Sequence, residues 1–209
     1  MAERCHTLYA MNKKEKILKS FPPNLEKDVQ AVLNILKIKE EDINSPKDVV
    51  IIKGISIMIP ERIYFNEPIY GNLTMTQKYI LDCIFTRHHN GFIRQHHLQN
   101  LLCCKEYWAI PFCFKLLGEY VKEILYDVKT HIENNFEDYL CFIVENKDFF
   151  NKTKSRMISY WNCYYRKTFP EYESYIGSQI FNNLEVAYNK RQTDLISGTL
   201  PDISNLKRI

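Results

Sequence analysis

Residues 74–98, TMTQKYILDCIFTRHHNGFIRQHHL, decide the fold because they combine a helix start, a turn signal and a second helix. Thr74 and Gln77 have the spacing of a capping box, in which two side chains satisfy backbone N–H groups at a helix start. The Asn-Gly pair at 90–91 is typical of the left-handed cap that ends a helix. We therefore expect one helix to end at this pair and another to follow over roughly 93–104.

Four more helices are predicted beyond this pair. One begins near Pro111, since proline is well placed in the first turn of a helix, and runs to residue 132. The other three are predicted over 136–147, 151–167 and 171–190. Their connections are short, which favours antiparallel packing of neighbours. The region 74–190 is therefore predicted to be a compact stack of antiparallel helices.

A segment with strand periodicity, VVIIKGISIMIP at 49–60, precedes the helical region. Its last isoleucines alternate with Ser56 and Met58, and Lys53-Gly54 separates two β-branched runs at hairpin spacing. Glycine supplies the positive φ that a tight turn needs. We expect a β-hairpin over about 48–59, and because a lone hairpin is marginal in water, it must pack against helices.

The N-terminal part is expected to contain two helices separated by a Pro-Pro pair, over 12–21 and 24–37, with Asn24 as the N-cap of the second. The predicted fold class is mainly α with one embedded hairpin. The predicted divisions are an N-terminal helical segment (1–45), the hairpin and a connecting loop (46–73), the helical core (74–190) and a polar, loose tail (191–209).

The composition excludes several common enzyme classes. Of 209 residues, only six are glycine and none are closer than 17 positions, so neither a dinucleotide-binding glycine motif nor a phosphate-binding P-loop is present. The sequence also lacks the nucleophile-elbow motif of esterases and the HExxH motif of zinc proteases. These absences favour a protein without catalytic activity.

The cysteines and the hydropathy pattern favour an intracellular protein, either cytoplasmic or nuclear. Seven cysteines, none spaced C-x-x-C, lie mostly in apolar runs, as reduced and buried thiols do. The N-terminus has no long apolar segment typical of a signal peptide. The most apolar run is too short to span a bilayer as a helix, so no membrane partner is expected.

Four of the six histidines lie at 88–89 and 96–97, which raises the question of a metal site. Adjacent helical residues point about 100° apart, so each pair offers one ligand comfortably. Cys103 and Cys104 lie seven residues beyond the second pair, a helical rise of about 10 Å that is too long for one ion. The ligand count is short of a structural zinc site, and no metal or cofactor is expected. A metal-dependent enzyme built around these histidines is retained as an alternative.

A nucleic-acid site is a second alternative. The segment 76–104 has the outline of a helix-turn-helix. The segments 83–105 and 149–170 contain no Asp or Glu and carry +3 and +5, which leaves −5 for the rest of a chain of charge +3. The second segment interleaves cations with aromatic residues, a combination that can track phosphates and stack bases.

Structural explanations compete with a binding role for these cations. Lys152, Lys154 and Arg156 are two positions apart, so they spread around a helix without forming one stripe. The residues predicted to bind a partner or a polyanion are Arg87, His88, His89, Arg94, His96, His97, Lys152, Lys154, Arg156, Arg166 and Lys167.

Charged residues also recur every fourth position in the predicted helix 111–132. They are Lys115, Glu119, Glu123, Asp127 and His131. The pattern favours a solvated face of an amphipathic helix over a carboxylate site. A third interpretation is that Glu119 and Glu123 pair with Arg87 or Arg94, which would make those arginines structural and weaken the case for nucleic-acid binding.

The function predicted from the sequence is non-catalytic. We expect an intracellular helical interaction or scaffold protein that presents basic, histidine- and tyrosine-bearing faces to an acidic protein partner. The nucleic-acid-binding alternative would use the helix-turn-helix-like segment 76–104 and the basic aromatic segment 149–170.

Overall fold

The computed structural model describes residues 13–39, 42–43 and 48–196. In these ranges the chain forms nine α-helices and one antiparallel hairpin, which confirms the predicted fold class. The elements are α1 Lys13–Leu18, α2 Glu26–Ile35, β1 Asp48–Ile52, β2 Ile55–Ile59, α3 Met75–Phe85, α4 Gly91–Asn100, α5 Ile110–Lys115, α6 Lys122–Asn134, α7 Phe136–Glu145, α8 Lys147–Tyr160 and α9 Ile176–Ile196.

The hairpin has the predicted turn. Lys53 (φ 49°) and Gly54 (φ 78°) both have positive φ, and Ile52 faces Ile55 across the turn. Alternate side chains of the two strands enter the core, as a strand period of two requires. The turn between α7 and α8 holds the other edge of β1, because the Asn146 amide accepts from Ile51 N–H (2.6 Å) and donates to Ile51 C=O (2.8 Å).

The start of α3 is confirmed and its predicted end is wrong. Thr74 and Gln77 form both bonds of the capping box. However, α3 ends at Phe85, and Asn90 begins the next helix: its side chain accepts from Phe92 N–H as the N-cap of α4. Asparagine can cap either end of a helix. Here its side-chain oxygen accepts from a free N–H at the start of α4, so it caps a helix start and not a helix end.

The single helix predicted over 111–132 is also wrong. α5 ends at Lys115, a 3-10 turn covers Leu116–Gly118, and Glu119 is extended (φ −103°, ψ 160°) before α6 begins. A Cβ added to Gly118 would lie 3.3 Å from Thr153 and 3.4 Å from Arg156, so this turn packs closely against α8. The charges that recur every fourth residue therefore do not lie along one helix.

Other boundaries differ from the predicted ones by a few residues. Asn24 lies inside a 3-10 turn, and α2 begins two residues later, at Glu26. α8 begins at Lys147 rather than at 151 and continues into a π-helical turn, Trp161–Tyr165. α9 extends to Ile196, and the rest of the predicted tail lies outside the described residues.

One hydrophobic core joins the described parts of the chain. Its buried members include Val29 of α2, Ile57 of the hairpin, Phe85 of α3 and Phe114 of α5. The Phe114 ring lies within 6.3 Å of five other aromatic rings, which belong to α7, α8 and α9. Among the described helices, none is long and apolar enough to cross a bilayer.

Candidate functional site

A buried carboxylate lies at the break between α5 and α6. Glu119 is 1% exposed, and its carboxylate faces the guanidinium groups of Arg62, Arg87 and Arg94 at 2.7, 3.4 and 3.4 Å. We call these three residues the arginine cluster. Burial alone would raise the pKa of Glu119, but the three cations together lower it below its usual value. Glu119 is therefore ionised, and one negative charge faces three positive ones.

Backbone carbonyls hold two members of the arginine cluster in place. Arg87 donates from Nε to Pro60 C=O (3.2 Å) and from Nη2 to Glu61 C=O (3.0 Å). Arg94 donates from Nη1 to the carbonyls of His88 and His89, both at 2.9 Å. These bonds join the ends of the segments around α3 and α4 to the chain that follows the hairpin, which is a structural role.

Arg94 has two buried donors that are only weakly satisfied. Its Nε and Nη2 meet no described acceptor in good hydrogen-bond geometry, although Nη2 lies 3.4 Å from Glu119 and the Tyr120 side chain interacts with the guanidinium. Burial, and then the neighbouring Arg62, lower the pKa of Arg94, while Glu119 opposes them. Burial likewise lowers the pKa of Arg87 to about 10. The arginine cluster therefore concentrates positive charge that its single carboxylate does not balance.

A second set of ion pairs adjoins the arginine cluster at Glu61. Lys115 donates to Asp48 (2.7 Å) and Glu61 (3.0 Å), and Arg156 donates to the other oxygen of Glu61 (3.1 Å). Burial would raise the pKa of Glu61, but Lys115 and Arg156 lower it to about 2. Burial and Arg87 lower the pKa of Lys115 to about 8 against the attraction of its carboxylates. These charges hold the hairpin, α5 and α8 together.

The four histidines do not converge. His88 is buried, and burial lowers its pKa to about 4 with a smaller contribution from His89, so the ring is neutral near pH 7. His89 is exposed and stacks on Tyr64, and His96 is exposed. The buried His97 ring lies between Asp82 (2.6 Å) and Glu67 (2.9 Å). Among the described residues, no group of three His, Cys, Asp or Glu side chains is placed to hold a metal ion.

The cations of α8 are paired with carboxylates. Lys152 lies 2.6 Å from Asp48, and Lys154 lies 2.6 Å from Glu185. With Arg156 on Glu61, all three use their charge inside the molecule. Beyond α8, Arg166 and Lys167 are exposed, and neither has a carboxylate partner among the described residues.

The helix-turn-helix outline has no cationic exposed face. Arg94, the cation of α4, points inward and is 1% exposed. Gln95 and Gln99 both donate to Asp127 of α6, and Phe92 is the most exposed apolar residue of the helix. A recognition helix needs free side chains that reach base edges. On α4 the polar side chains instead contact a neighbouring helix.

Three tyrosines form an exposed aromatic group beside the arginine cluster. Tyr120 follows Glu119, and its ring lies 6.1 Å from those of Tyr160 and Tyr164, which are 6.0 Å apart. We call these three residues the tyrosine surface. The π-helical turn after α8 carries Tyr164, and Tyr165 of the same turn donates its hydroxyl to Tyr120 C=O at 2.5 Å. That bond fixes the turn against the break between α5 and α6.

Sequence reasoning predicted some members of this site and missed others. The proposed pairing of Glu119 with Arg87 or Arg94 is found with both arginines. Glu123 is near neither of them among the described ion pairs, and its carboxylate lies 3.9 Å from the adjacent Lys122. Arg62 was missed, because it lies in an irregular segment with no periodicity to mark it. Tyr120 was missed because the helix was predicted to continue through it.

Comparison of the chain with protein-family models, curated proteins and solved structures finds no match.

Proposed function

We propose that this protein is a non-catalytic interaction protein, and that it binds an acidic segment of a partner protein at the tyrosine surface and at the adjacent cations Arg166 and Lys167. The observation that carries the proposal is the clustering of three tyrosine rings from two parts of the chain, followed in sequence by two exposed cations without a described carboxylate partner.

The tyrosine surface has the properties of an interface centre. Tyr120 is 47% and Tyr164 63% exposed, so apolar ring area is available to a partner. Tyrosine and arginine are enriched among residues that dominate binding energy, and tyrosine buries a large area with few rotatable bonds. The hydrogen bond from Tyr165 to the backbone of Tyr120 holds the two contributing segments together, which lowers the entropic cost of binding.

The charge near the tyrosine surface favours an acidic partner. Arg166 and Lys167 follow the π-helical turn and are exposed. Exposed positive charge accelerates encounter with acidic segments and disfavours basic ones. The carboxylates nearest in sequence to Tyr120 are already near cations: Glu119 faces the arginine cluster, and Glu123 lies 3.9 Å from Lys122.

A protein partner fits this surface better than a nucleic acid. Nucleic-acid binders neutralise many phosphates at once, and their affinity depends on that number. Here Arg87 and Arg94 are buried, and the three cations of α8 are already paired with carboxylates. Few cations of the two basic segments are therefore left for phosphates.

An intracellular location is part of the proposal. The six cysteines among the described residues are free thiols, and three of them, Cys83, Cys104 and Cys113, are buried in the core. Burial raises the pKa of Cys104 to about 11, so that thiol is protonated and inert near neutral pH. Such thiols persist in reducing compartments.

Binding of a fluorescently labelled peptide of alternating glutamate and leucine, followed by anisotropy, tests the proposal. We expect saturable binding that weakens as salt is raised from low to physiological concentration. Tyr164→Ala should weaken it about tenfold, as an interface-centre residue does. The double change Arg166→Gln and Lys167→Gln should mainly slow association.

The double change Lys27→Gln and Lys37→Gln is the matched control, because both lysines are exposed and their replacement also removes two positive charges. If the control and the Arg166/Lys167 variant have equal effects, the net charge of the protein alone explains the attraction. Binding of a labelled single-stranded oligonucleotide in place of the peptide, with the same variants affected, would overturn the proposal in favour of nucleic-acid binding.

A further inference from the structure

We propose that the arginine cluster binds a phosphate-type dianion, so that the acidic partner segment is a phosphorylated one. The inference rests on the proposed function and specifies the ligand group that would occupy the inner edge of the tyrosine surface.

The first argument is charge. Arg62, Arg87 and Arg94 face the single carboxylate of Glu119, which leaves two positive charges unbalanced. The neighbouring carboxylate of Glu61 does not balance these charges, because it is already paired with Lys115 and Arg156. A carboxylate side chain would cancel one of the two charges. A phosphate monoester carries nearly two negative charges at pH 7 and would cancel both.

The second argument is the set of weakly satisfied donors. Arg94 is 1% exposed, and its Nε and Nη2 meet no described acceptor in good hydrogen-bond geometry, with Tyr120 and, at 3.4 Å, Glu119 as their neighbours. Buried donors without good partners are rare, because each has lost its hydrogen bonds to water. The two atoms lie on one edge of the guanidinium group, the edge that binds two oxygens of a phosphate in parallel.

The third argument is access. Arg62 is the member of the cluster that reaches the surface, with 17% of its side chain exposed. Tyr120 is half exposed, and its side chain interacts with Arg94 both electrostatically and as a hydrogen-bond partner, so it is an outward neighbour of the Arg94 donors. Glu119 and Tyr120 lie in the break between α5 and α6, outside regular helix. We expect phosphate to take the place of the Tyr120 side chain at Arg94.

The test uses inorganic phosphate and the full chain. Thermal unfolding is measured in increasing sodium phosphate, with sodium chloride holding the ionic strength constant. We expect Tm to rise with the logarithm of phosphate concentration above Kd, by about 2–4 °C at a concentration about fourfold above Kd. The rise should be larger at pH 7.5 than at pH 5.5, because the second phosphate proton is lost between these values.

Arg62→Gln should abolish the rise, because Arg62 is the exposed end of the site. Lys27→Gln is the matched control, as it removes one exposed positive charge outside the arginine cluster, and it should keep the full rise. Arg62→Lys covers the case in which Arg62→Gln does not fold: it retains the charge without the planar fork, and phosphate should bind at least about fivefold more weakly.

Two results would overturn the inference. One is a Tm that rises equally in chloride and phosphate; the other is a rise that Arg62→Lys and Lys27→Gln leave equally intact. The peptide experiment distinguishes these failures from failure of the proposed function. If the glutamate peptide binds at Tyr164 while phosphate has no specific effect, the interaction surface stands and the dianion site does not. If phosphate raises Tm as expected while neither the glutamate peptide nor a phosphoserine version of it binds, the anion site stands without a peptide partner.

Discussion

Arg87 Nη2 lies 3.4 Å from Glu119 Oε1, and both side chains are at most 1% exposed. Arg87 ends the turn after α3, and Glu119 lies in the break after α5, so the contact joins two parts of the chain 32 residues apart. Arg62 and Arg94 share the same carboxylate. Glu119 is therefore the common anion of three cations from three separate segments.

Glu119→Gln is expected to destabilise the fold by at least about 3 kcal/mol, since removing one partner of a buried ionic group leaves the others uncompensated. Chemical denaturation of the wild type and the variant measures the loss. Glu123→Gln is the matched control, because Glu123 is half exposed and lies only near Lys122. Its cost should stay within about 0.5 kcal/mol. Similar costs for the two variants would show that the arginine cluster does not depend on Glu119.

The hairpin turn provides a second prediction. Gly54 has a φ of 78°, and Gly71 lies in the irregular segment after the hairpin without a positive φ. Neither has a heavy atom within 4 Å of an added Cβ, so the two sites differ in backbone conformation and not in space. Gly54→Ala should cost about 1 kcal/mol of unfolding free energy. Gly71→Ala should be neutral or slightly stabilising, because it lowers the entropy of the unfolded chain. Equal changes in denaturation midpoint would contradict the positive φ at residue 54.

Local patterns predicted the elements that local interactions determine. The capping box at Thr74 needs only residues three positions apart, and it forms as predicted. The hairpin turn likewise depends on two adjacent residues and on the strands beside them. The pairing of Glu119 with arginine could also be proposed, because the basic segment 83–105 is followed by a segment rich in carboxylates that could neutralise it.

Contacts between distant segments explain what the sequence did not predict. Helical periodicity continues through Gly118, yet the helix breaks there, where the turn packs against Thr153 and Arg156 of α8. Arg87 and Arg94 looked like surface cations because their partners, including the Pro60 and Glu61 carbonyls, lie in a segment without periodicity. The divisions between α6, α7 and α8 were predicted, but the sequence did not show that a single asparagine forms each of them.

Asn146 gives a third prediction. Its amide pairs with both backbone groups of Ile51 and also donates to Phe142 C=O at 2.9 Å. Asn146→Ala would leave the N–H and C=O of Ile51 without these partners, and we expect a cost of about 2–3 kcal/mol. Asn146→Asp retains an acceptor for Ile51 N–H but loses both donations, so its cost should also exceed 1 kcal/mol, as roughly one net hydrogen bond is worth.

Asn135 provides the control for Asn146. It separates α6 from α7 with a nearly identical φ (−134° against −135°), and its amide donates to His131 C=O without contacting the hairpin. Asn135→Ala should cost about 1 kcal/mol and leave the hairpin unchanged. Hydrogen exchange separates the two, because only Asn146→Ala should accelerate exchange of the Ile51 amide. Equal acceleration in both variants would contradict a direct role for Asn146 at the β1 edge.

The free energy of unfolding should depend on pH because of the lowered pKa of His131. Its Nδ1 lies 2.8 Å from the Tyr139 hydroxyl, and burial, with a smaller contribution from Lys105, lowers its pKa from 6.5 to about 4. The unfolded chain therefore takes up a proton at this residue below pH 6.5, while the folded chain does so only near pH 4. Stability from this group is complete above pH 6.5 and is lost as the pH falls to about 4, by up to about 3 kcal/mol.

His88 acts in the same direction, because burial also lowers its pKa to about 4. His131→Gln should therefore flatten, without abolishing, the fall in unfolding free energy between pH 6.5 and 4, and His96→Gln, at an exposed position, should leave the slope unchanged. Glu61, with a pKa of about 2, contributes in a lower window, between about pH 4.5 and 2, so its effect is separable. Denaturant titrations at pH 7, 5.5 and 4 give the slopes. A slope that His131→Gln leaves equal to that of the wild type would show that folding does not lower the pKa of His131.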